Sequence, residues 1–282
     1  MSSKSARTIR YCIRYLQRAY IFTYGRQKQD YIELLGTITA QILEAIASSD
    51  AAYHNLEHTI QVILVGQEIL RGRHRCQGPV SPQDWMHFII SLLCHDIGYL
   101  KGICQGDQPN KNLFITGVED NFVTLPNNST GASLTPFHVD RGKQFVAENF
   151  GNHPLIDVET LQHNIELTRF PVPKDEEYQD TINYPGLARA ADLIGQLSDP
   201  KYLSKIPALF QEFKETGSNK FLGYKKPEEL RAGYPKFYWN TVSHYVHHGI
   251  RYLEVLPEGK PVVENLYNNL KMVENELTLA AA

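Results

Sequence analysis

Side chains with metal-ligating chemistry occur in this chain on three separated segments, and only a repeatedly folded-back chain can gather them in one pocket. Tyr53-His54-Asn55-Leu56-Glu57-His58 carries two histidines four apart, a spacing that stacks them on one face of a helix. Cys94-His95-Asp96-Ile97-Gly98 offers an imidazole and a carboxylate from a second element. Asp192, in Ala190-Ala191-Asp192-Leu193-Ile194, is a charge inside an apolar helical run, and a buried carboxylate needs pairing or a metal. His58, His95, Asp96 and Asp192 thus form a nitrogen and oxygen donor set without thiolate. It suits one or two divalent ions (Fe, Mn, Zn or Mg) and not a structural zinc cage.

The helical period dominates elsewhere. Residues 5–24 repeat Ile9, Ile13, Leu16 and Tyr20 among Arg7, Arg10, Arg14 and Arg18. This reads as a helix packed on the domain with a basic solvated face, or as a membrane-surface or partner-binding helix. Further helices are expected over 30–47, from His54 through Leu70, and from Ser81-Pro82 to a terminus that delivers His95 and Asp96. Thr135-Pro136 is expected to restart a helix, Asp157 to cap the next, and Pro185 to begin the one holding Asp192. Pro227 and Pro235 are expected to separate two C-terminal helices before a last one at about 262–278. No alternating strand pattern stands out. The prediction is an all-α fold, a single domain over 1–282 with a core at about 48–215, N-terminal helices over 1–47 and a C-terminal helical extension over 216–282.

Residues 101–134 break every period with Gly102, Gly106, Pro109, Gly117, Pro126, Asn127, Asn128 and Gly131. A stretch of this length is either disordered or a lid over a site. His244, His247 and His248 share a helix without an acidic partner at helical spacing, and are read as a packed or solvated face.

The order His…His-Asp…Asp over roughly 51–199 resembles the HD-domain superfamily of metal-dependent phosphohydrolases. Tyr-His-Asn-x-x-His in particular is similar to the signature of class I cyclic nucleotide phosphodiesterases. The resemblance implies an HD-type helical bundle, with His58, His95, Asp96 and Asp192 on a first metal and Asp96 as the bridging carboxylate. It implies that His54 donates a proton to the leaving oxygen instead of binding metal, while a metal-activated hydroxide attacks phosphorus. His138, in His138-Val139-Asp140-Arg141-Gly142, and His163 stand where many HD domains ligate a second ion. In the phosphodiesterases such positions are second in line or absent, so both roles stay open. Glu57 and Glu166 are read either as carboxylates orienting ligand histidines or, preferably, as surface charges.

Other HD activities fit less well. Ile97-Gly98-Tyr99-Leu100 lacks the Glu-Asp pair of guanosine tetraphosphate hydrolases, and Gln162-His163-Asn164 does not match the His-His-Glu of cyclic-di-nucleotide enzymes. The C-terminal glutamine and aromatic clamp that phosphodiesterases place on a purine is not recognisable. The expectation is therefore a phosphodiesterase-like hydrolase of a small phosphorylated substrate, nucleotides included. The alternatives are an HD-type di-iron oxygenase and a non-catalytic binding or regulatory module.

The bulk properties bound the rest. A net charge of −3 makes no case for nucleic acid as the main partner. Cys12, Cys76, Cys94 and Cys104 have neither paired metal spacing nor scaffold density, as expected in a reducing cytoplasm. No apolar run approaches a membrane span, so stable insertion is not expected, and a homodimer is compatible with the sequence.

Overall fold

A computed structural model describes residues 2–281, and it is all-α apart from one small hairpin. The chain opens with α1 (Ser3–Tyr24), α2 (Gln29–Ile46), α3 (Leu56–Gln77) and α4 (Pro82–Cys94). Ser2, Asn55 and Ser81 cap α1, α3 and α4, each accepting a hydrogen bond from an otherwise unpaired backbone N–H of the first turn. β1 (Leu113–Ile115) and β2 (Phe122–Thr124) follow, then α5 (His138–Phe150), α6 (Val158–Glu166), α7 (Tyr184–Leu197) and α8 (Tyr202–Thr216). Asp157 caps α6 through Glu159 N and Thr160 N, and Pro185 lies in the first turn of α7. A short α9 (Ser218–Phe221), α10 (Pro227–Phe237), α11 (Ser243–Glu254) and α12 (Lys260–Ala281) complete the chain. None of the described helices is long and apolar enough to cross a membrane.

α3 and α7 form the central pair, flanked by α4 and α11. Gly195 lets their backbones meet, because a Cβ there would lie 2.9 Å from Val62 Cα. One continuous core runs through Leu16, Leu35, Ile42, Ile63, Phe88, Leu92, Ile194 and Val246, which are fully buried. Removal of apolar surface from water, worth about 25 cal/mol per Å², holds such helices together more than propensity does.

Three expectations are corrected. His54 is not helical: Asn55 takes the N-cap with φ −136° and ψ −176°, and α3 starts at Leu56. Pro235 does not separate helices but lies inside α10; the change of register comes at a π turn, Tyr238–Val242, that runs straight into α11. A proline removes one backbone donor, which α10 tolerates at this position.

The third concerns 101–134, which is not structureless. Leu113, Phe114 and Ile115 pair with Thr124, Val123 and Phe122 in an antiparallel hairpin, packed on a satellite core of Phe114, Leu125 and Leu134. Its anchor is a fully buried ion pair. Arg141 Nη1 and Nη2 donate to Asp107 Oδ1 and Oδ2 at 2.9 Å each, and its other three donors reach Gly98 O, Leu100 O and Ile115 O. Asp107 also accepts from Gly102 N, Cys104 N and Ile115 N. In a buried pair with every donor used, the hydrogen bonds offset the desolvation penalty, so Arg141 ties this segment to α5.

Candidate metal centre

His58 stands on the first turn of α3, His95 and Asp96 follow the last turn of α4, and Asp192 points in from the middle of α7. His58 Nε2 is 3.2 Å from Asp96 Oδ2 and 3.3 Å from Asp192 Oδ1. His95 Nε2 is 3.2 Å from Asp96 Oδ2 and 3.7 Å from Asp192 Oδ1. His58, His95 and Asp96 are buried, while Asp192 keeps 21% of its side chain exposed.

His95 Nδ1 donates to Leu92 O at 2.7 Å, which turns Nε2 toward the cluster. His58 Nε2, His95 Nε2 and Asp96 Oδ2 are buried and make no hydrogen bond. Buried polar atoms are normally satisfied, so three orphaned atoms converging on one point fit a cation there. Charge agrees with geometry. Burial alone would lower the imidazolium pKa of His58, but the facing carboxylates of Asp192 and Asp96 outweigh it and raise it to about 9. His95 is likewise raised well above its ordinary value, burial being outweighed by Asp96 and Asp192. For both carboxylates burial opposes ionisation, yet the two histidines hold them below the usual range. These directions are those of imidazolium groups facing carboxylates. A divalent ion replacing two protons leaves the net charge of the pocket unchanged.

His54 joins from the bend before α3. One of its ring nitrogens lies within 4.8 Å of ligand atoms of His58 and Asp96. Its Nδ1 is 2.5 Å from Glu212 Oε2 on α8, and Glu212 Oε1 accepts from Tyr53 N at 2.6 Å and His54 N at 3.1 Å. Burial works against ionisation of Glu212, but His54 and these backbone donors leave its pKa lowered. The His54 ring also stacks on Tyr99 (4.5 Å between centroids, 10° between planes), and Tyr99 stacks on His138 at 4.6 Å. Tyr99 is thus the middle layer of a three-ring pile beside Asp96. Gly98 makes room for it, since a Cβ there would fall 1.9 Å from His138 O.

His138 is buried in the pile with its Nδ1 donating to Thr135 O at 2.7 Å. It flanks the cluster but is outside the groups of side chains close enough to share an ion. His163 corrects the expectation more strongly. Leu161, Asn164 and Ile165 take the buried face of α6 and leave His163 exposed. It lines a surface depression with Asp140, Lys143 and Glu166, so it does not serve a second ion in this pocket. Glu57 pairs with Lys205, and Glu166 with Arg169 and Lys143, as surface charges do. His244 and His247 are exposed on α11.

Sequence reasoning missed Glu212 and Tyr99. Glu212 carried a readable signal, a carboxylate among Leu209, Phe210 and Phe213, the same kind of signal that singled out Asp192.

The fold and the site define an all-α protein with a buried two-histidine, two-aspartate cluster fit for a divalent cation and an outer histidine paired to glutamate. The chain belongs to the Npun_R2479-like family, whose model matches residues 4–276. Comparison with curated proteins and with solved structures gives no match.

Proposed function

We propose that this protein is a metal-dependent phosphohydrolase acting on a small phosphodiester, with nucleotide-like compounds as the leading substrate class. The observation that carries the reading is the placement of the Glu212-held His54 beside the His58, His95, Asp96 and Asp192 cluster. A cation site with a separate imidazole acid at its rim is the minimum set for cleaving a phosphoester whose leaving oxygen needs a proton. The ordered motif and its resemblance to the HD superfamily point the same way.

When bound, a divalent cation supplies Lewis acidity, acidifying water and offsetting phosphoryl charge. His58, His95, Asp96 and Asp192 would hold it. The chain's own residues supply the rest. Glu212 keeps His54 Nδ1 engaged and leaves Nε2 free to carry a proton. Tyr99 fixes the plane of the His54 ring by stacking. Substrate enters on the side where His54 and Asp192 retain 18% and 21% side-chain exposure, so the leaving oxygen reaches the acid at the rim. A di-iron oxygenase draws no support from His163, which faces solvent.

The test is metal analysis of the purified protein together with turnover of phosphomonoesters, cyclic nucleotides and bis(p-nitrophenyl) phosphate. About one or more equivalents of divalent metal with diesterase activity is the expected result, and Asp96→Asn should lose both. Full metal and full activity in Asp96→Asn would overturn the reading, as would a loaded wild-type protein inert on every phosphoester.

A further inference from the structure

We infer that the outward face of α1 is a docking surface for an anionic lipid bilayer. Seven of the 28 Lys and Arg residues and none of the 31 Asp and Glu residues precede Asp30, which leaves 21 basic and 31 acidic residues to the remainder. α1 turns this charge in one direction. Ile9, Cys12, Leu16 and Tyr20 are buried, and at 3.6 residues per turn Lys4, Arg7, Arg10, Arg14 and Arg18 fall on the opposite side. All five are exposed. Among the described residues none of them joins a salt bridge, in contrast to Arg71, Arg141, Arg169 and Arg231.

The same side of α1 also carries exposed apolar side chains. Tyr11 is 59% exposed and Phe22 81% exposed, with Ile21 beside them. Arg71, from α3, lies 5.9 Å from the Phe22 ring, but it is paired with Glu68 and Glu258, so the cations of this face are those of α1. Guanidinium groups interleaved with aromatic and aliphatic side chains match the boundary of an anionic bilayer. There, cations meet headgroup phosphates while rings enter the acyl edge. α1 has 22 residues, about 33 Å of length, so its cations can touch one plane together.

Charge complementarity selects the bilayer over a nucleic acid. A polyanion strand running past the helix meets a remainder of the chain with a ten-residue excess of acid, whereas a bilayer has to meet only this one face. The docking face is also apart from the metal centre. Tyr15 OH donates to Glu68 Oε1 at 2.5 Å, and Glu68 is ten residues beyond His58 on α3, about 15 Å along its axis.

The full-length protein should be sedimented with phosphatidylcholine vesicles, with and without phosphatidylserine, at low and physiological salt. Binding is expected only with phosphatidylserine and should weaken with salt. Arg10→Gln/Arg14→Gln/Arg18→Gln should lower partitioning about a hundredfold, and Phe22→Ser should lower it several-fold. Lys225→Gln/Lys226→Gln, exposed elsewhere, should leave it unchanged. Unaltered melting temperature and metal content in the triple variant separate lost docking from lost folding. No binding to phosphatidylserine vesicles, equal binding to both vesicle types, or full binding by the triple variant would overturn the inference. So would tighter binding to single-stranded RNA that ignores Phe22→Ser, or a salt-sensitive dimer as the only species that the triple variant abolishes.

Discussion

Glu212 Oε2 holds His54 Nδ1 at 2.5 Å across 158 residues of sequence, and the same carboxylate caps the backbone N–H groups of Tyr53 and His54. One side chain from α8 thus fixes both the ring and the bend on which it rides. Glu212→Gln keeps an acceptor for the backbone but replaces a charged partner by a neutral one. On the phosphohydrolase reading proposed above, the diesterase rate should fall about tenfold to a hundredfold with metal content unchanged. Glu212→Ala should additionally cost about 1–3 kcal/mol of stability, because buried N–H groups lose their acceptor. Rates, metal content and denaturant melts of both variants check this, and an unperturbed rate in Glu212→Gln removes Glu212 as a positioning residue.

The hairpin segment makes a prediction of a different kind. Arg141 spends all five donors within one buried nest around Asp107. Asp107→Ala leaves a buried guanidinium without its counter-charge and should cost about 3–5 kcal/mol. Arg141→Lys should also destabilise, since a point ammonium cannot serve five acceptors in a planar fork. If either variant melts like the wild type, the segment is held by something else.

Much of the architecture was legible because its signals are local. Apolar periodicity and the residues Ser81, Pro82, Asp157 and Pro185 located most helices to within a few positions, each for a capping or backbone reason. The expected convergence of His58, His95, Asp96 and Asp192 is also what the fold brings about. What failed depends on tertiary partners. Three-residue strands are too short for alternation to show, and the Asp107–Arg141 pair that orders 101–134 joins residues from different elements. Spacing placed His163 on α6 but could not say which face of that helix would be covered. His54 left the helix because Asn55, a stronger capping residue, claimed its start.

The protonation of the His58, His95, Asp96 and Asp192 cluster sets a pH dependence. His58 is raised to about 9 from an unfolded value near 6.5, so the metal-free folded state binds more protons than the unfolded state in that window. Its contribution is fully present below about 6.5 and is lost as pH rises through about 9. Metal binding runs the other way, because each proton on His58 or His95 must leave first. The melting-temperature gain on adding Mn²⁺ should therefore grow from about pH 6.5 to about pH 9. Melts with Mn²⁺ and with chelator across that range check it, and a gain that stays flat contradicts the imidazolium–carboxylate cluster.

The proposed role of His54 as general acid can be isolated by choosing the leaving group. Proton donation matters when the departing oxygen would otherwise leave as an alkoxide, and matters little when it leaves as an acidic phenol. His54→Ala should therefore lose roughly a hundredfold or more on an alkyl or sugar phosphodiester, and much less on a nitrophenyl ester. Metal content should stay at the wild-type level, because Nδ1 is committed to Glu212 and the four-residue cluster is intact without His54. The proximity of His54 to His58 and Asp96 gives the competing outcome a definite form. Equal losses on both substrates, together with depleted metal, would place His54 in the coordination sphere and take the acid out of the mechanism.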